Sequence, residues 1–283
     1  MKHIYKRNGK EITVEQKTVG NKHQYVVHDH KDMANSPMDS VTGILRYVDG
    51  TSTTPISRWA VKQAVEYAKK HCLITGDITG ALNDARKQPD IMFKKAGDRG
   101  TRIHNALEIY LRALDDWWQP LDVDVDDIDK LETCFSKVSE WIKKSGLKVM
   151  GTELPIYHRE LMVGGSIDLV LSDDKSRIYV VDFKTGSRIY KKDALQVTAY
   201  ISCLISMLED NVELWDRFNA TMPHGESLNQ LQIGGALFHI KEDNGSLDIK
   251  HINTPASGAF TAARILHQYW STKESEMFHK VTL

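Results

Sequence analysis

The sequence predicts an α/β fold, a central sheet flanked by helices and preceded by a helical extension. Three observations predict it. Between residues 164 and 184, Gly-Gly-Ser-Ile-Asp-Leu-Val-Leu and Arg-Ile-Tyr-Val-Val-Asp-Phe-Lys flank the polar turn Ser172-Asp-Asp-Lys-Ser176. Both runs are dominated by β-branched and aromatic residues, the composition of strands. Within residues 97–116, Ile103, Leu107, Tyr110, Leu111 and Leu114 fall on one helical stripe. After a further helix at 193–209, Gly234–Ile240 and Ser246–Ile252 read as another strand pair.

The remaining elements follow in order. Residues 1–35 read as an N-terminal β-hairpin region, with Glu11–Val14 and Gln24–His28 extended around a turn at Val19-Gly20-Asn21. Residues 36–145 form a helical region. In it a loop at Asp49–Pro55 precedes helices at 56–72 and 77–88, with breaks expected near Gly76 and Pro89. A helix at 128–145 carries Leu131, Phe135, Val138 and Ile142 inward. Residues 146–283 hold the core sheet and end in a helix at 258–273, with Phe260, Leu266, Tyr269 and Trp270 expected in the core. The last two parts read as one compact unit.

The chemistry concentrates on the first hairpin. Its length sets Asp168 beside Asp182, and Lys184, two residues on, leaves the strand on the same face. Two carboxylates and an ammonium on one face suit a divalent metal held beside a phosphate. Two strand-end acids with a surface lysine is the bland alternative. Glu153, in another extended segment, would add a third acid. Gln196 and Tyr200 lie four residues apart on one helical face. That amide and phenol serve either as satisfied core groups or as a grip on a phosphate or base.

Other patterns exclude more than they assign. The 283 residues are 41% hydrophobic, enough for a full core, and the formal net charge of −1 rules out a global basic field for collecting nucleic acid. Local basic groups remain at Lys94, Lys95, Arg99, Arg102, Arg188, Lys191 and Lys192. Three scattered cysteines lack the spacing for an iron–sulfur cluster, a zinc site or a disulfide framework. His28-Asp-His30 has the spacing of some metal sites but stands apart from the acids. The acidic run Asp122–Asp129 fails as a calcium loop, because Asp127 stands where glycine is needed and Thr133 where glutamate is needed. No apolar leader and no membrane-length apolar run are visible, so a cytoplasmic setting, bacterial or phage-infected, is expected and the sequons at Asn219 and Asn244 read as chance.

The order Glu153, Gly-Ser-Ile-Asp168, Asp182-Phe-Lys184, Gln196-Val-Thr-Ala-Tyr200 resembles the RecB-type branch of the PD-(D/E)XK nuclease superfamily. Within it the likeness is to mitochondrial genome maintenance exonucleases and their phage-encoded relatives. Arg99-Gly-Thr-Arg-Ile-His104-Asn-Ala-Leu-Glu108 resembles that family's Gly-x-x-x-His helix, and Ser40-Val-Thr-Gly-Ile-Leu45 with Trp59 its N-terminal segment. The likeness spans residues 40 to 270. Ile167 replaces the proline of the superfamily's name, and Phe183 at the middle of Asp-x-Lys leaves only its backbone carbonyl to reach a metal.

The resemblance implies a restriction-endonuclease-like core with a mixed sheet. It implies Mg²⁺ or Mn²⁺ held by His104, Glu153, Asp168, Asp182 and the Phe183 carbonyl. Lys184, Gln196 and Tyr200 would complete the catalytic set, while Arg99, Arg102, Arg188, Lys191 and Lys192 would contact DNA. It further implies an exonuclease on single-stranded DNA or frayed duplex ends, in repair, recombination or phage DNA processing, with recombination or replication proteins as partners. An endonuclease on the same core, a non-catalytic DNA-binding recombination partner and an unrelated phosphoester hydrolase are the rival readings. Polarity and oligomeric state are not encoded in these motifs.

Overall fold

The computed structural model describes residues 2–7, 10–19, 22–28, 33, 35–48, 53–112, 128–173, 177–210, 231–241, 246–252 and 257–271. The strands are β1 (Lys2–Arg7), β2 (Lys10–Val19), β3 (Lys22–His28), β4 (Pro37–Ser40), β5 (Lys148–His158), β6 (Val163–Ser172), β7 (Arg177–Lys184), β8 (Gln232–Lys241) and β9 (Ser246–Ile252). The helices are α1 (Val41–Val48), α2 (Thr53–Thr75), α3 (Ile78–Ala85), α4 (Gln88–Arg112), α5 (Ile128–Ser145), α6 (Lys191–Asp210) and α7 (Ser257–Ser271).

All nine strands join one mixed sheet, ordered β1-β2-β3-β4-β6-β7-β8-β9 with β5 paired to β6. The β4–β6 and β7–β8 pairs are parallel and the others antiparallel. β6 is the pivot. β5 lines it from Val163 to Ser172, so β4 and β7 must share its other edge. β4 takes Val163 and Gly164, whereas β7 takes Leu169 to Ser172. Residues 165–168 therefore lie where that edge has no strand partner, and the sheet opens there.

Helices cover both faces, which is why β6 is buried along nearly its whole length and reads as a near-continuous apolar run. On one face Val41 and Ile44 of α1, Val197, Leu204 and Met207 of α6, and Phe260 of α7 pack against Ile156, Ile167 and Val180. On the other, Ile103, Leu107 and Leu111 of α4 and Phe135, Val138 and Ile142 of α5 pack against Leu169, Val181, Phe183 and Phe238. The helical stripe thus does what its period predicts. Leu107 is fully buried, and truncating it to alanine would cost about 2–5 kcal/mol. Leu114 and the side chain of Leu131 lie outside the described residues.

The structure corrects several expectations. β1 was not expected from the sequence, and it lengthens the N-terminal hairpin to three strands. Pro89 does not break a helix: it sits in the first turn of α4, where a missing N–H costs nothing. That helix consequently starts at Gln88 rather than near 97. Thr53–Pro55 forms the first turn of α2 rather than loop, for the same reason, while residues 49–52 lie outside the described residues. Residues 37–48 are a strand and a helix. Leu266 is 49% exposed, because the buried face of α7 carries Phe260, Ala263 and Arg264. The side chains of Tyr269 and Trp270, like His30, Asp122–Asp127 and the sequon residues Asn219 and Asn244, fall outside the described residues. His28 has both ring nitrogens engaged, to Asn35 Oδ1 at 2.7 Å and Glu15 Oε2 at 2.9 Å.

Candidate active site

The opening beside β6 is where the acids meet. The register that pairs Thr152 with Leu169 and Leu154 with Ile167 puts Glu153 opposite Asp168. The register that pairs Leu169 with Val181 brings Asp182 alongside Asp168 one step further on. There the ladder stops: the Phe183 N–H donates to Asp168 Oδ2 at 2.7 Å instead of to a strand carbonyl. Glu153 itself has φ +46°, left-handed backbone that is uncommon for a residue with a side chain and costs of order 1–3 kcal/mol. Ser166 Oγ donates to Glu153 Oε2 at 3.0 Å and fixes its carboxylate.

α4 supplies the imidazole from one face of the sheet. His104 Nδ1 lies 3.4 Å from Asp168 Oδ2. One ligand atom each from His104, Glu153 and Asp168 falls within 4.8 Å of the others. Glu108, one turn along α4, is buried behind them and its charge acts on Glu153. From the other face α6 presents Gln196 and Tyr200. Gln196 Nε2 donates to Asp182 Oδ1 at 2.8 Å and lies 2.9 Å from the Tyr200 hydroxyl, while Lys184 Nζ donates to Gln196 Oε1 at 3.1 Å. Lys184 Nζ also stands 2.7 Å from Asp182 Oδ2. The amide and phenol thus bond to the acid and the lysine of the opening, with the Tyr200 ring buried in the core beneath them.

The two glycines before Ser166 let this assembly close. A Cβ on Gly165 would stand 2.6 Å from the Tyr200 ring, and one on Gly164 would stand 2.7 Å from Tyr25. Tyr25 and Ser166 are the neighbours that sequence reasoning missed. Tyr25 comes from β3, and its strand pattern gives no hint of the contact. Ser166, adjacent to the Gly-Gly pair and two residues before Asp168, could have been found by strand alternation alone.

Crowding of acids shapes the electrostatics. Burial, then the charges of Asp168 and Glu108, push the Glu153 carboxyl up to about 8. Burial and Asp168 push Asp182 up to about 7. Burial resists a charge on His104, but Asp168, Asp182 and Glu153 outweigh it and raise the imidazole to about 9. Asp168 is held low: burial works against its charge, and His104, the Phe183 N–H and Lys184 overcome it. Lys184 is raised, its burial outweighed by Asp182. The cluster thus favours a positive imidazole and protons shared among the crowded acids. Two carboxylates and an imidazole make a donor set for a divalent ion. It is reachable, since the His104 side chain keeps 28% of its surface and Lys184 23%.

Not every expected ligand sits in that trio. Asp182 is committed to Gln196 and Lys184, and the Phe183 ring is buried in the core. The expected basic residues lie on α4 and in the segment that leads from β7 into α6. Arg99 Nη2 donates to the Thr185 carbonyl at 3.4 Å, Arg102 is exposed one turn along α4, and Arg188 and Lys192 flank the Tyr190 ring a few residues past Lys184, with Lys191 exposed at the start of α6.

A search of curated proteins finds no match. A solved structure described as "Crystal structure of SSO0001" aligns at 12% identity over 60% of this chain and 76% of that one. Its TM-score of 0.29 is too low to carry an argument. Among the described residues no helix is long and apolar enough to cross a membrane. The family model described as PD-(D/E)XK nuclease superfamily matches residues 80–222, just over half of the 283. That stretch contains His104, Glu153, Asp168, Asp182, Lys184, Gln196 and Tyr200, and the mixed sheet flanked by helices agrees with it: this chain belongs to the PD-(D/E)XK nuclease superfamily.

Proposed function

We propose that this protein is a divalent-metal-dependent DNA exonuclease of the RecB type, allied to the mitochondrial genome maintenance exonucleases and their phage-encoded relatives. It hydrolyses phosphodiester bonds in single-stranded DNA or frayed duplex ends, in repair, recombination or phage DNA processing in a cytoplasmic setting. One observation carries the reading. His104, Glu153 and Asp168, from three elements of the chain, offer ligand atoms within 4.8 Å of one another, with the Lys184 ammonium fixed beside Asp182.

His104, Glu153 and Asp168 would hold Mg²⁺ or Mn²⁺, with Asp182 and the Phe183 carbonyl next to them. Oxygen ligands with a single imidazole favour these ions over softer metals. Such an ion, when bound, neutralises charge on the phosphate and lowers the pKa of water. Lys184 steers the attacking water or offsets the negative charge that grows on the phosphate oxygens. Its own position is set by Asp182 Oδ2 and Gln196 Oε1, so Gln196 orients the lysine, and Tyr200 orients Gln196. Arg99, Arg102, Arg188, Lys191 and Lys192 bind backbone phosphates outside the reacting bond.

The test compares a linear single strand with a covalently closed single-stranded circle in Mn²⁺. Degradation of the linear strand alone is expected. Equal cutting of the circle would make the protein an endonuclease on the same core. Strands labelled at either end give the polarity in the same experiment.

A further inference from the structure

We propose that Tyr190 is a nucleobase-stacking residue, flanked by Arg188 and Lys192 as phosphate contacts, that grips the unpaired nucleotide next to the reacting phosphate. The proposal rests on the nuclease reading above and adds to it an aromatic contact that reads strandedness. The segment Lys184-Thr-Gly-Ser-Arg-Ile-Tyr-Lys-Lys192 carries four cations and no acid, in a chain whose net charge is −1. Within it Tyr190 keeps 44% of its surface. Arg188 Cζ lies 4.8 Å from the centre of its ring and Lys192 Nζ 5.6 Å, and Arg188 Nε donates to the Tyr190 hydroxyl at 2.9 Å.

An exposed tyrosine on a surface loop would ordinarily mean little. This one is held. The Tyr190 N–H donates to Asp193 Oδ2 at 2.7 Å, and Asp193 is buried at the start of α6. Arg99 holds the Thr185 carbonyl, and the Gly186 carbonyl lies 2.5 Å from the His239 ring nitrogen. The segment is thus fixed at both ends between α4, β8 and α6. It is also close to the site, because the charge of Asp193 acts on the Lys184 ammonium.

An aromatic face bordered by cations is the arrangement that single-stranded nucleic acid needs: every base has a π-face to stack, and the flanking phosphates meet the cations. A solvent-exposed cation–π contact is weaker than base–aromatic stacking, so Arg188 would yield the ring to a base and keep a phosphate. A paired base in a duplex has both faces covered and gains nothing from Tyr190. The platform therefore favours unpaired ends.

The experiment measures binding of the full chain in Ca²⁺ to a single strand carrying 2-aminopurine at successive positions, and to a blunt duplex. With the wild type, fluorescence of one or two positions is quenched by stacking. Tyr190→Phe and Tyr190→Trp keep that quench. Tyr190→Ala loses it and binds the single strand about 5- to 150-fold more weakly, with duplex affinity unchanged. An abasic site at the quenched position weakens the wild type to the same degree and Tyr190→Ala no further. Unchanged quench and affinity in Tyr190→Ala would overturn the proposal. Equal loss on strand and duplex, or a Tyr190→Phe that behaves like Tyr190→Ala, would also overturn it, since either makes the residue a support for the loop. If the wild type binds no DNA at all, the nuclease reading fails and this inference with it.

Discussion

The β6–β7 hairpin carries acids at both ends, and the two ends treat them differently. At the turn, Asp173 accepts the Arg177 N–H at 2.9 Å and its guanidinium Nε at 2.6 Å, so a partner four residues away satisfies it. Elsewhere Asp210 receives Arg159 Nη1 at 2.6 Å and Asp39 receives Arg264 Nη1 at 2.7 Å. At the open end no ion pair joins Asp168, Asp182 or Glu153 to an arginine among the described residues. They face one another, one lysine and one imidazole. An acid with its own guanidinium is neutralised within the chain, whereas acids crowded together around one lysine and one imidazole share protons and raise one another's pKa values. The difference separates structure from chemistry within one pair of strands.

The sharpest way to break that contrast is to remove an acid from the open end. Asp168→Ala should lower DNA cleavage in Mn²⁺ by about 10³-fold or more and abolish metal binding followed by calorimetry. Cleavage at the wild-type rate would remove Asp168 from the mechanism. Lys184→Ala should lose about 10²- to 10³-fold in rate while binding metal normally, because the ammonium acts on charge in the transition state rather than on the ion. A Lys184→Ala variant that loses metal as well would merge two roles kept apart here.

The pH dependence sharpens the same comparison. Glu153 titrates near 8 when folded and near 4.5 when unfolded. Between those values the native chain holds the extra proton, so this group's contribution to stability falls as pH rises. Glu153→Gln should therefore raise the metal-free melting temperature at pH 8, with the gain shrinking toward pH 5. Metal affinity of the wild type should move the other way, weakening as pH drops below about 8, because the ligands must shed protons to bind. A flat affinity from pH 6 to 9 would contradict this. The smallest effect belongs to the turn: Asp173→Ala should cost about 1–2 kcal/mol of stability and leave the cleavage rate untouched. A fall in rate there would show that the two ends are coupled.

Much of this was legible locally. The strands of the hairpin, the stripe on α4 and the Gln196–Tyr200 spacing on α6 follow from short-range patterns, and each does what its period requires. Pro89 misled because proline reads as a stop, while the first turn of a helix tolerates it. Leu266 misled because an apolar residue on the far side of a helix looks like core until the buried face is known. In its place Arg264 is buried by a pair with Asp39, 225 residues away, which no periodicity can signal.

From the residue order alone came the acids, the lysine and the helical faces that bear them, because backbone period reaches only a few residues. Tertiary structure decided that β4 and β7 divide one edge of β6 and leave a gap at 165–168. It also decided that His104 enters from one face and Gln196 from the other, and that Glu153 turns into the opening at a strained φ. These are contacts between distant parts of the chain, set by how whole layers pack. A site that must concentrate like charge can exist only where that packing compels it.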